Sequence, residues 1–341
     1  MTGECAGPNA GNGKFHLAHT EGSADFPFPQ AHSPGRLCYP GPEGTFTEAA
    51  LRALPGSDAY ELVPVPSIPA TLGSVRAREA EAAFVPIENS VEGGVTATLD
   101  ELAAHQPLMI RREAMQPLTF ALLVRDGTRL EDVKTVTGHP AALPQVRGWL
   151  AARLPHAEWE SAPSTADGAR LVQEGRCDGA FAGEFTASRY GLAPAARGIH
   201  EVANAQARFV LVGRPAPPAP PTGRDKTSLV VWLDDDRPGA LLQLLQEFST
   251  RGVNIVRIES RPTGAGLGRY SFSVDCEGHI AERRVGEALM GLKRTCPKVR
   301  FLGSYPQHSP DPPDGTDAGS ASHRAFAAAS AWLGACRAGQ P

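Results

Sequence analysis

The chain has 341 residues, and its 33 Lys and Arg against 37 Asp and Glu give a formal net charge of −4 at pH 7. This length predicts two or three domains with ample core, and the balanced charge, without a basic run, argues against a nucleic-acid-binding or anionic-membrane surface. The six cysteines are scattered without CxxC spacing or a histidine cluster, which argues against a disulfide framework or a zinc site.

Both ends of the chain differ in composition from the middle. Residues 1–35 and 307–341 are poor in large apolar residues and rich in Gly, Ser, Pro, Asp and Ala, so both are predicted to be disordered tails. Residues 1–30 lack the apolar core of a signal peptide, and the Ala-rich stretch 325–336 is too short to span a bilayer, although a terminal helix is possible there. These features predict a cytoplasmic protein with reduced thiols and no membrane contact.

The body, residues 36–212, alternates short apolar runs with helical patterns. The strand and helix pairs are 37–39 with 47–54, 82–87 with 96–104, 133–137 with 140–154, 158–162 with 166–174, and 179–182 with 184–190. Repeated strand-then-helix order predicts α/β sheets. Ligands of such sheets bind beyond the carboxyl ends of strands, near helix N-termini, so we expect the loops to carry the chemistry.

A proline-rich segment separates the body from a second unit. Residues 213–223 hold five prolines in eleven positions, the composition of a stiff, extended spacer, and we place a linker at 213–224. The unit after it, residues 225–306, has predicted strands at 227–233, 255–261, 270–275 and 299–305, and predicted helices at 240–250 and 282–294. This βαββαβ order is ferredoxin-like, and we expect a homodimer or homotetramer because such domains often pair.

Two loops of the body concentrate Gly with polar residues. Loop one, residues 41–47, contains Thr45, which can cap the next helix, and an ordinary capped turn is the simpler interpretation. Loop two, residues 86–95, places Glu88, Asn89 and Ser90 side by side after a buried strand. That density of hydrogen-bonding groups leaves a binding role and a structural role equally open.

Two further loops precede helices. Loop three, residues 137–140, contains His139 and is followed by Gln145; a single histidine at such a junction is more often a cap than a base. Loop four, residues 164–167, matches a capping box that starts with Ser164 and Thr165. Capping explains loop four by itself, although the same helix N-terminus would also favour a carboxylate.

Arg208 precedes the apolar run 209–212 and therefore lies within a predicted buried strand. An unpaired buried guanidinium is very costly, so either an internal carboxylate or an anionic ligand must meet it. The sequence contains no Ser-His-Asp order, metal cluster or GxGxxG motif. These features favour a small dianionic substrate held by hydrogen bonds.

The motifs now resemble a known family. Residues 41–51 (GPEGTFTEAAL), residues 85–99 (VPIENSVEGGVTATL), His139-Pro140, Gln145, Ser164-Thr165 and Ala207-Arg208-Phe209 are similar to prephenate dehydratase. Gly239-Ala240-Leu241-Leu242 and Glu259-Ser260-Arg261-Pro262 resemble the paired phenylalanine-binding motifs of the ACT regulatory domain. The resemblance covers residues 36–306 in order.

The resemblance implies a two-lobed, periplasmic-binding-protein-like α/β body with prephenate between the lobes, followed by a ferredoxin-like ACT domain, without a cofactor or metal. It implies catalytic roles for Asn89, Ser90, Gln145 and Arg208, with Arg208 holding a substrate carboxylate. Implied substrate contacts are Thr45, Glu88, Ser164, Thr165 and Phe209. Implied contacts to phenylalanine, at a subunit interface, are Gly239, Ala240, Leu241, Glu259, Ser260, Arg261 and Pro262.

The chain departs from the family at the position before Arg208. The family pattern is Thr-Arg-Phe, whereas Ala207 cannot donate a proton or hydrogen bond to a leaving hydroxyl, and Gly138 stands where many members carry Ser. This departure favours a prephenate decarboxylase that retains the ring hydroxyl and yields a dihydro-4-hydroxyphenylpyruvate, as in antibiotic pathways. The alternatives are a dehydratase of L-phenylalanine biosynthesis, in which water, Thr45 or Ser90 replaces the hydroxyl, and a non-catalytic sensor of prephenate or phenylalanine.

Overall fold

The computed structural model describes residues 35–233, 237–263, 269–308 and 323–340. Within these ranges the chain forms two α/β lobes and a C-terminal domain, each with its own sheet. The first predicted tail lies outside the described residues except for its last position. Residues 309–322 of the second predicted tail also lie outside them.

Lobe 1 contains residues 35–117 and a returning strand, and lobe 2 contains residues 118–205. The elements of lobe 1 before the chain leaves it are β1 (Arg36–Pro40), α1 (Phe46–Arg52), β2 (Glu61–Val65), α2 (Ile68–Arg76), β3 (Ala82–Asn89), β4 (Gly93–Gly94), α3 (Thr96–Ala104) and β5 (Met109–Pro117). Lobe 2 contains β6 (Phe120–Arg125), β7 (Thr135–Gly138), α4 (Leu143–Arg153), β8 (Glu158–Ser161), α5 (Thr165–Gln173), β9 (Gly179–Ala182), α6 (Thr186–Tyr190) and β10 (Leu192–Ile199). Strand β11 (Gln206–Gly213) then returns to lobe 1.

The C-terminal domain contains β12 (Asp225–Trp232), α7 (Ala240–Ser249), β13 (Ile255–Pro262), β14 (Tyr270–Glu277), α8 (Arg283–Thr295) and β15 (Lys298–Pro306), and α9 (His323–Arg337) follows it. Its strand order, β13-β14-β12-β15, is the expected ferredoxin-like order. In lobe 1 the order is β2-β1-β3-β11-β5, and in lobe 2 it is β10-β6-β9-β7-β8. Two lobes joined by two crossovers form the expected periplasmic-binding-protein-like body, so the predicted fold class is confirmed.

One apolar cluster joins the two lobes. It combines Phe46, Phe84 and Phe209 of lobe 1 with Phe120 and Phe181 of lobe 2, and each of them is at most 9% exposed. The ring of Phe46 meets that of Phe120 edge-on, with 5.4 Å between the ring centroids. The floor of the interlobe cleft is therefore a shared aromatic core.

The C-terminal domain packs onto lobe 1 through the face of its sheet that its own helices leave open. Val230 and Leu302 share an apolar cluster with Ile110 and Val210 of lobe 1. Gly303 has a φ of +139°, and a Cβ at this position would lie 2.3 Å from the carbonyl oxygen of Ile110. Only glycine permits this approach, which brings β15 directly against β5.

The proline-rich linker is fastened to lobe 1. Arg111 donates from Nη1 to the carbonyl oxygens of Ala216 and Pro217 and from Nη2 to that of Arg214. Arg214 in turn donates to the carbonyl oxygen of Ala80 at 2.9 Å. Residues 214–224 form no helix or strand, in keeping with an extended segment, and these bonds hold it against the body while the domains on either side share a core.

Residues 323–337 of the second tail form helix α9, which agrees with the terminal helix allowed over 325–336 and corrects the prediction of disorder for this part. Their Ala-rich sequence has high helix propensity, and Arg283 of α8 donates to the carbonyl oxygen of Phe326 at 3.2 Å. Across the described ranges, no helix combines the length and apolar character required to cross a bilayer.

We expect Gly303→Ala to lower the free energy of unfolding by about 2–4 kcal/mol, because the new methyl group would overlap the Ile110 carbonyl. Gly127→Ala is the matched control: its φ is +78° and no atom lies within 4 Å of the added Cβ, so backbone strain alone costs about 1–2 kcal/mol. Equilibrium urea unfolding measures both values. Equal losses in the two variants would contradict the close contact between β15 and β5.

Candidate active site

Three residues form a row across the lobe 1 sheet, beside the two crossovers to lobe 2. Ala207 of β11 lies opposite Asn89 of β3 on one side and opposite Gln116 of β5 on the other. Directly opposed residues of antiparallel strands share a face of the sheet. The side chains of Asn89 and Gln116 therefore flank Ala207, and Gln116 Nε2 directs one N–H to the Pro117 carbonyl oxygen at 3.4 Å.

This row faces the cluster between the lobes. Ala207 is 7% exposed and belongs to the cluster that contains Phe46 and Phe120. Phe209 points to the same face but is 2% exposed, and its ring stacks on Phe84 with centroids 5.4 Å apart. The expected contact of Phe209 with substrate is corrected, because neighbouring core residues cover its ring.

Arg208 points the opposite way, because side chains alternate along a strand. Its Nε donates to Glu113 at 2.7 Å, its Nη1 to Asp275 at 2.6 Å, and its Nη2 to the Tyr305 hydroxyl at 2.9 Å. Burial opposes its charge, but Tyr305, Asp275 and Glu113 together raise the pKa of Arg208. The sequence left open whether an internal carboxylate or an anionic ligand meets Arg208, and the structure shows internal carboxylates. The expected role of Arg208 as the group that holds a substrate carboxylate is therefore corrected.

Glu88 accompanies Arg208 on the face turned toward the C-terminal domain. The two residues are opposed in the register of β3 and β11, and Glu88 Oε2 lies 3.2 Å from Arg208 Nη1. The expected contact of Glu88 with substrate is corrected for the same reason. Of the three consecutive polar residues 88–90 of loop two, Asn89 and Ser90 remain on the cleft side.

Loop two presents donors beside the row. Asn89 Oδ1 accepts a hydrogen bond from the Val91 amide at 2.9 Å, and its Nδ2 makes none within the described part of the chain. Ser90 Oγ accepts from the Gln206 amide at 2.9 Å, and the Ser90 amide donates to the Gln206 carbonyl at the same distance. Asn89 therefore offers an N–H and Ser90 an O–H next to Ala207.

Loop one is held between the lobes by α6. Thr186 donates to the carbonyl oxygen of Gly44 at 2.8 Å, and Tyr190 donates to that of Glu43 at 2.9 Å. Arg189 forms an ion pair with the Glu43 side chain. These contacts fix the loop across the cleft.

Thr45 caps α1 by accepting from the Glu48 amide at 3.3 Å, which confirms the capping interpretation of loop one. The Glu48 carboxylate accepts from the Gly44 amide, so an internal anion already occupies the start of α1. Burial, together with the Glu48 charge, raises the pKa of Tyr39 to about 12. Helix α1 therefore has its own anion and leaves little room for a substrate carboxylate.

On lobe 2, His139 is a cap. Its Nδ1 accepts from the Ala141 amide at 3.1 Å, so Nε2 carries the hydrogen of the neutral ring. Burial lowers the pKa of His139, and the negative charge of Glu92, which faces the ring from loop two of lobe 1, offsets only part of this shift. The capping interpretation is confirmed, and the ring offers a neutral donor toward lobe 1.

Gln145 anchors the second crossover. Its Oε1 accepts from the Val202 amide at 3.3 Å, and its backbone oxygen accepts from the Glu201 amide at 2.8 Å. Gln145 is 1% exposed, and its Nε2 is buried without a hydrogen-bond partner among the described residues. An unpaired buried donor is unusual, and it marks this end of the cleft for a ligand or water.

At loop four, Ser164 Oγ accepts from the Asp167 amide at 2.9 Å and donates to the Asp167 carboxylate at 2.8 Å. The capping box is confirmed, and it occupies the Ser164 hydroxyl. Thr165 is 9% exposed, and its hydroxyl makes no hydrogen bond with the rest of the described chain. The start of α5 lies near loop one, since a Cβ built on Gly44 would be 3.7 Å from Ala166.

The structure explains the glycine before His139. A Cβ at Gly138 would lie 3.0 Å from the Trp159 ring and 3.3 Å from the Phe181 carbonyl oxygen. The space that a serine side chain would need is thus filled by Trp159. Trp159 therefore packs directly against Gly138, and no side-chain hydrogen-bond donor is present at position 138.

The two segments expected to bind an effector lie apart within one chain. Gly239 caps α7 with a φ of +84°, and Ala240 lines a cavity of about 190 Å³ with Leu233, Gln243 and Leu244. Arg261 forms an ion pair with Asp100 of α3. Leu241, Ser260 and Pro262 are exposed, whereas Glu259 lies against Gly94 of lobe 1. No hydrogen bond or ion pair joins the segments within the described ranges of a single chain.

Sequence reasoning missed Gln116, Glu113, Asp275 and Tyr305. Gln116 and Glu113 lie on β5, which was not predicted as a strand, and the other two meet Arg208 only through the docking of domains. Among the described residues, no group of three His, Cys, Asp or Glu side chains converges as a metal site.

Comparisons with known proteins agree along the chain. A family model for prephenate dehydratase matches residues 37–217, and one for the ACT domain matches residues 227–294. Prephenate dehydratases from Mycobacterium bovis and Mycobacteroides abscessus are 46% and 49% identical over 314 and 283 residues, covering 90% and 81% of this chain and 95% and 92% of the relatives.

A solved structure of prephenate dehydratase from Arthrobacter aurescens in complex with L-Phe is 45% identical, with a TM-score of 0.82, over 88% of this chain and 99% of that one. Sequence is thus shared with all three relatives, and the three-dimensional structure is shared with the Arthrobacter protein. The chain belongs to the prephenate dehydratase family and carries the family's C-terminal ACT domain.

Proposed function

We propose that this protein is a prephenate dehydratase, which converts prephenate to phenylpyruvate, CO2 and water. The observation that carries the proposal is the row Asn89, Ala207 and Gln116, because two amide donors flank the position of the missing hydroxyl. The relatives that match both domains support this reaction over decarboxylation alone, which the sequence by itself favoured.

The cleft offers neutral donors for the substrate dianion. Asn89, Ser90 and Thr165 each have a side-chain N–H or O–H without a partner in the described chain, and Gln145 Nε2 is a fourth such donor. The N–H groups at the start of α5 add the positive end of a helix dipole. We assign the carboxylates to these groups, with Thr45 and Ser164 shaping the walls through their caps.

In the proposed reaction, the ring C–COO bond breaks and its electron pair forms the aromatic ring as the C–O bond to the hydroxyl breaks. The departing oxygen takes one proton and leaves as water. Asn89 and Gln116 stabilise the charge on this oxygen by hydrogen bonds but cannot supply the proton, which comes from a solvent water molecule whose hydroxide passes into bulk solvent.

Ala207 favours a second candidate, decarboxylation without dehydration. In that reaction the electron pair released with CO2 is protonated at a ring carbon and the hydroxyl stays. Each reaction consumes one proton: in dehydration the C–O bond breaks and the departing oxygen takes the proton, whereas in decarboxylation alone the C–O bond stays and a ring carbon takes it. Because the Ala207 side chain donates no hydrogen bond, loss of hydroxide is slowed, and protonation of the ring carbon competes with it.

We further propose that L-phenylalanine binds the ACT domain between two copies of this chain. The Arthrobacter relative was solved with L-Phe. Strand β13 is an edge strand, and its Val256 and Ile258 are 44% and 40% exposed. Exposed apolar edges usually pair, so a second β13 would cover this edge and bring Glu259–Pro262 of one copy toward Gly239–Leu241 of the other.

The direct test incubates the purified protein with prephenate near neutral pH and identifies the product by proton NMR and mass spectrometry. We expect aromatic phenylpyruvate. A decarboxylated product that retains the elements of water would establish the second candidate instead. Prephenate binding without CO2 release above the spontaneous rate would indicate a sensor.

Ala207→Thr restores the hydroxyl of the family pattern. We expect it to raise the rate of phenylpyruvate formation, by at most about 10²–10³-fold, since that is the effect of one well-placed donor. Stopped assays of the aromatic product measure this rate. An unchanged rate would mean that the flanking amides already supply the full hydrogen-bonding contribution.

Gln116→Leu tests the newly identified amide. We expect kcat to fall by about 10-fold or more with a smaller change in KM, because the proposed hydrogen bond strengthens as charge develops on the leaving oxygen. Gln106→Leu, at an exposed glutamine outside the cleft, is the matched control. Equal kcat values for the two variants would remove Gln116 from the proposed site.

Ile258→Lys tests the pairing of β13. We expect light scattering to give a smaller assembly than that of the wild type, and calorimetry to give L-phenylalanine binding at least about tenfold weaker, because a charge at the paired edge opposes association. Met290→Lys, at a 56% exposed position of α8, is the control. An unchanged mass for Ile258→Lys would refute this interface.

A further inference from the structure

A buried ionic network lies between the catalytic sheet and the ACT domain, directly behind Ala207. Arg208 connects Glu113 of lobe 1 with Asp275 and Tyr305 of the ACT domain. Its side chain is 4% exposed, and those of Glu113 and Asp275 are 2% and 0% exposed. The residue next to the reacting position is thus bonded into another domain.

Asp275 is the anion at the centre of this network. It accepts hydrogen bonds from Arg208 Nη1 at 2.6 Å, from Arg257 Nε at 2.9 Å and from Ser228 Oγ at 2.6 Å. Two guanidinium groups therefore share one buried carboxylate. Without its charge, Arg208 and Arg257 would repel each other in a low-dielectric environment.

Strand β13 contacts lobe 1 in two further places. Glu259 occupies the space in front of Gly94, where any Cβ would overlap its carboxylate, and Gly94 pairs with Glu88 next to Asn89. Arg261 forms a two-point ion pair with Asp100, with N···O distances of 3.1 and 3.0 Å. The strand that carries the Glu259–Pro262 segment thus contacts loop two directly and β11 through Arg257 and Asp275.

We infer that Asp275 is a positioning residue for the active site: it holds Arg208, and with it the β11 segment that carries Ala207, against β14 of the ACT domain, and Arg257 joins the same carboxylate to β13. This inference rests on the proposed function only in its kinetic readout. Movement of β13 would change the placement of both Ala207 and loop two, because the same strand contacts both. The ACT domain thereby completes the geometry of the cleft without contributing a residue to it.

The test uses the full-length Asp275→Asn variant, because asparagine keeps the shape but turns an N–H toward a guanidinium. Asp225→Asn is the matched control: Asp225 is also buried in the ACT domain, but its carboxylate bonds only to Thr222 and Gly223 among the described residues. Tyr305→Phe, which removes the hydrogen bonds of the Tyr305 hydroxyl to Arg208 and Ser228, is a milder second variant if Asp275→Asn does not fold.

Hydrogen exchange followed by mass spectrometry reports the placement without any activity. We expect Asp275→Asn to raise exchange at least about tenfold in peptides that cover residues 204–212 and 86–92, with Asp225→Asn changing only peptides around the linker. Equal exchange in β11 for Asp275→Asn and Asp225→Asn would overturn the inference. If Asp275→Asn does not fold and Tyr305→Phe is used instead, exchange in β11 equal to that of the wild type would overturn it.

Kinetics of prephenate consumption, corrected for the folded fraction, provide the second readout. We expect Asp275→Asn to raise KM and lower kcat/KM by about tenfold or more, and Asp225→Asn to stay within about threefold of the wild type. A loss in kcat/KM that disappears on correction for folded protein would reduce Asp275 to a structural role. If the wild type itself consumes no prephenate, the proposed function fails, and the exchange data decide the positioning inference alone.

Discussion

The burial of the Arg208 guanidinium is the constraint on which the arrangement of this protein depends. A buried cation requires anions; lobe 1 supplies Glu113 and the partly buried Glu88, and the ACT domain supplies Asp275. Because side chains alternate along β11, placing Arg208 at the domain interface turns Ala207 toward the cleft. One short motif therefore has two roles: its first residue faces the chemistry, and its second joins the catalytic sheet to the regulatory domain.

Because Arg208 points away from the cleft, its charge is not available to the substrate. In the proposed site, a dianionic substrate is held by side-chain amides, hydroxyls and the start of α5, which are neutral hydrogen-bond donors. In the proposed reaction, the leaving oxygen next to Ala207 meets the side chains of Asn89 and Gln116 but no acid. Under this proposal, loss of the family's hydroxyl weakens the assistance to one atom and leaves the groups assigned to substrate binding in place.

Much of the fold follows from the sequence, since the strand-then-helix pairs of the body and the βαββαβ order of the ACT domain appear where hydrophobic periodicity placed them. Strands β2, β5, β6 and β10 were missed, and with β5 the amide of Gln116.

Caps such as Thr45, His139 and Ser164 were predictable because they depend on local spacing. The partners of Arg208 were not, because Asp275 is 67 residues away and meets it only through domain packing. The apparent spacer illustrates the same limit: its prolines indicate stiffness, but Arg111 determines where it lies.

A crystal structure of the full chain with a bound dicarboxylate that mimics prephenate tests the central claim most directly. We expect carboxylates bonded to Asn89, Ser90 and the start of α5, with Gln116 and Asn89 on either side of the leaving oxygen and Arg208 still paired with Asp275. An Arg208 side chain rotated into the cleft and bonded to a ligand carboxylate would contradict it.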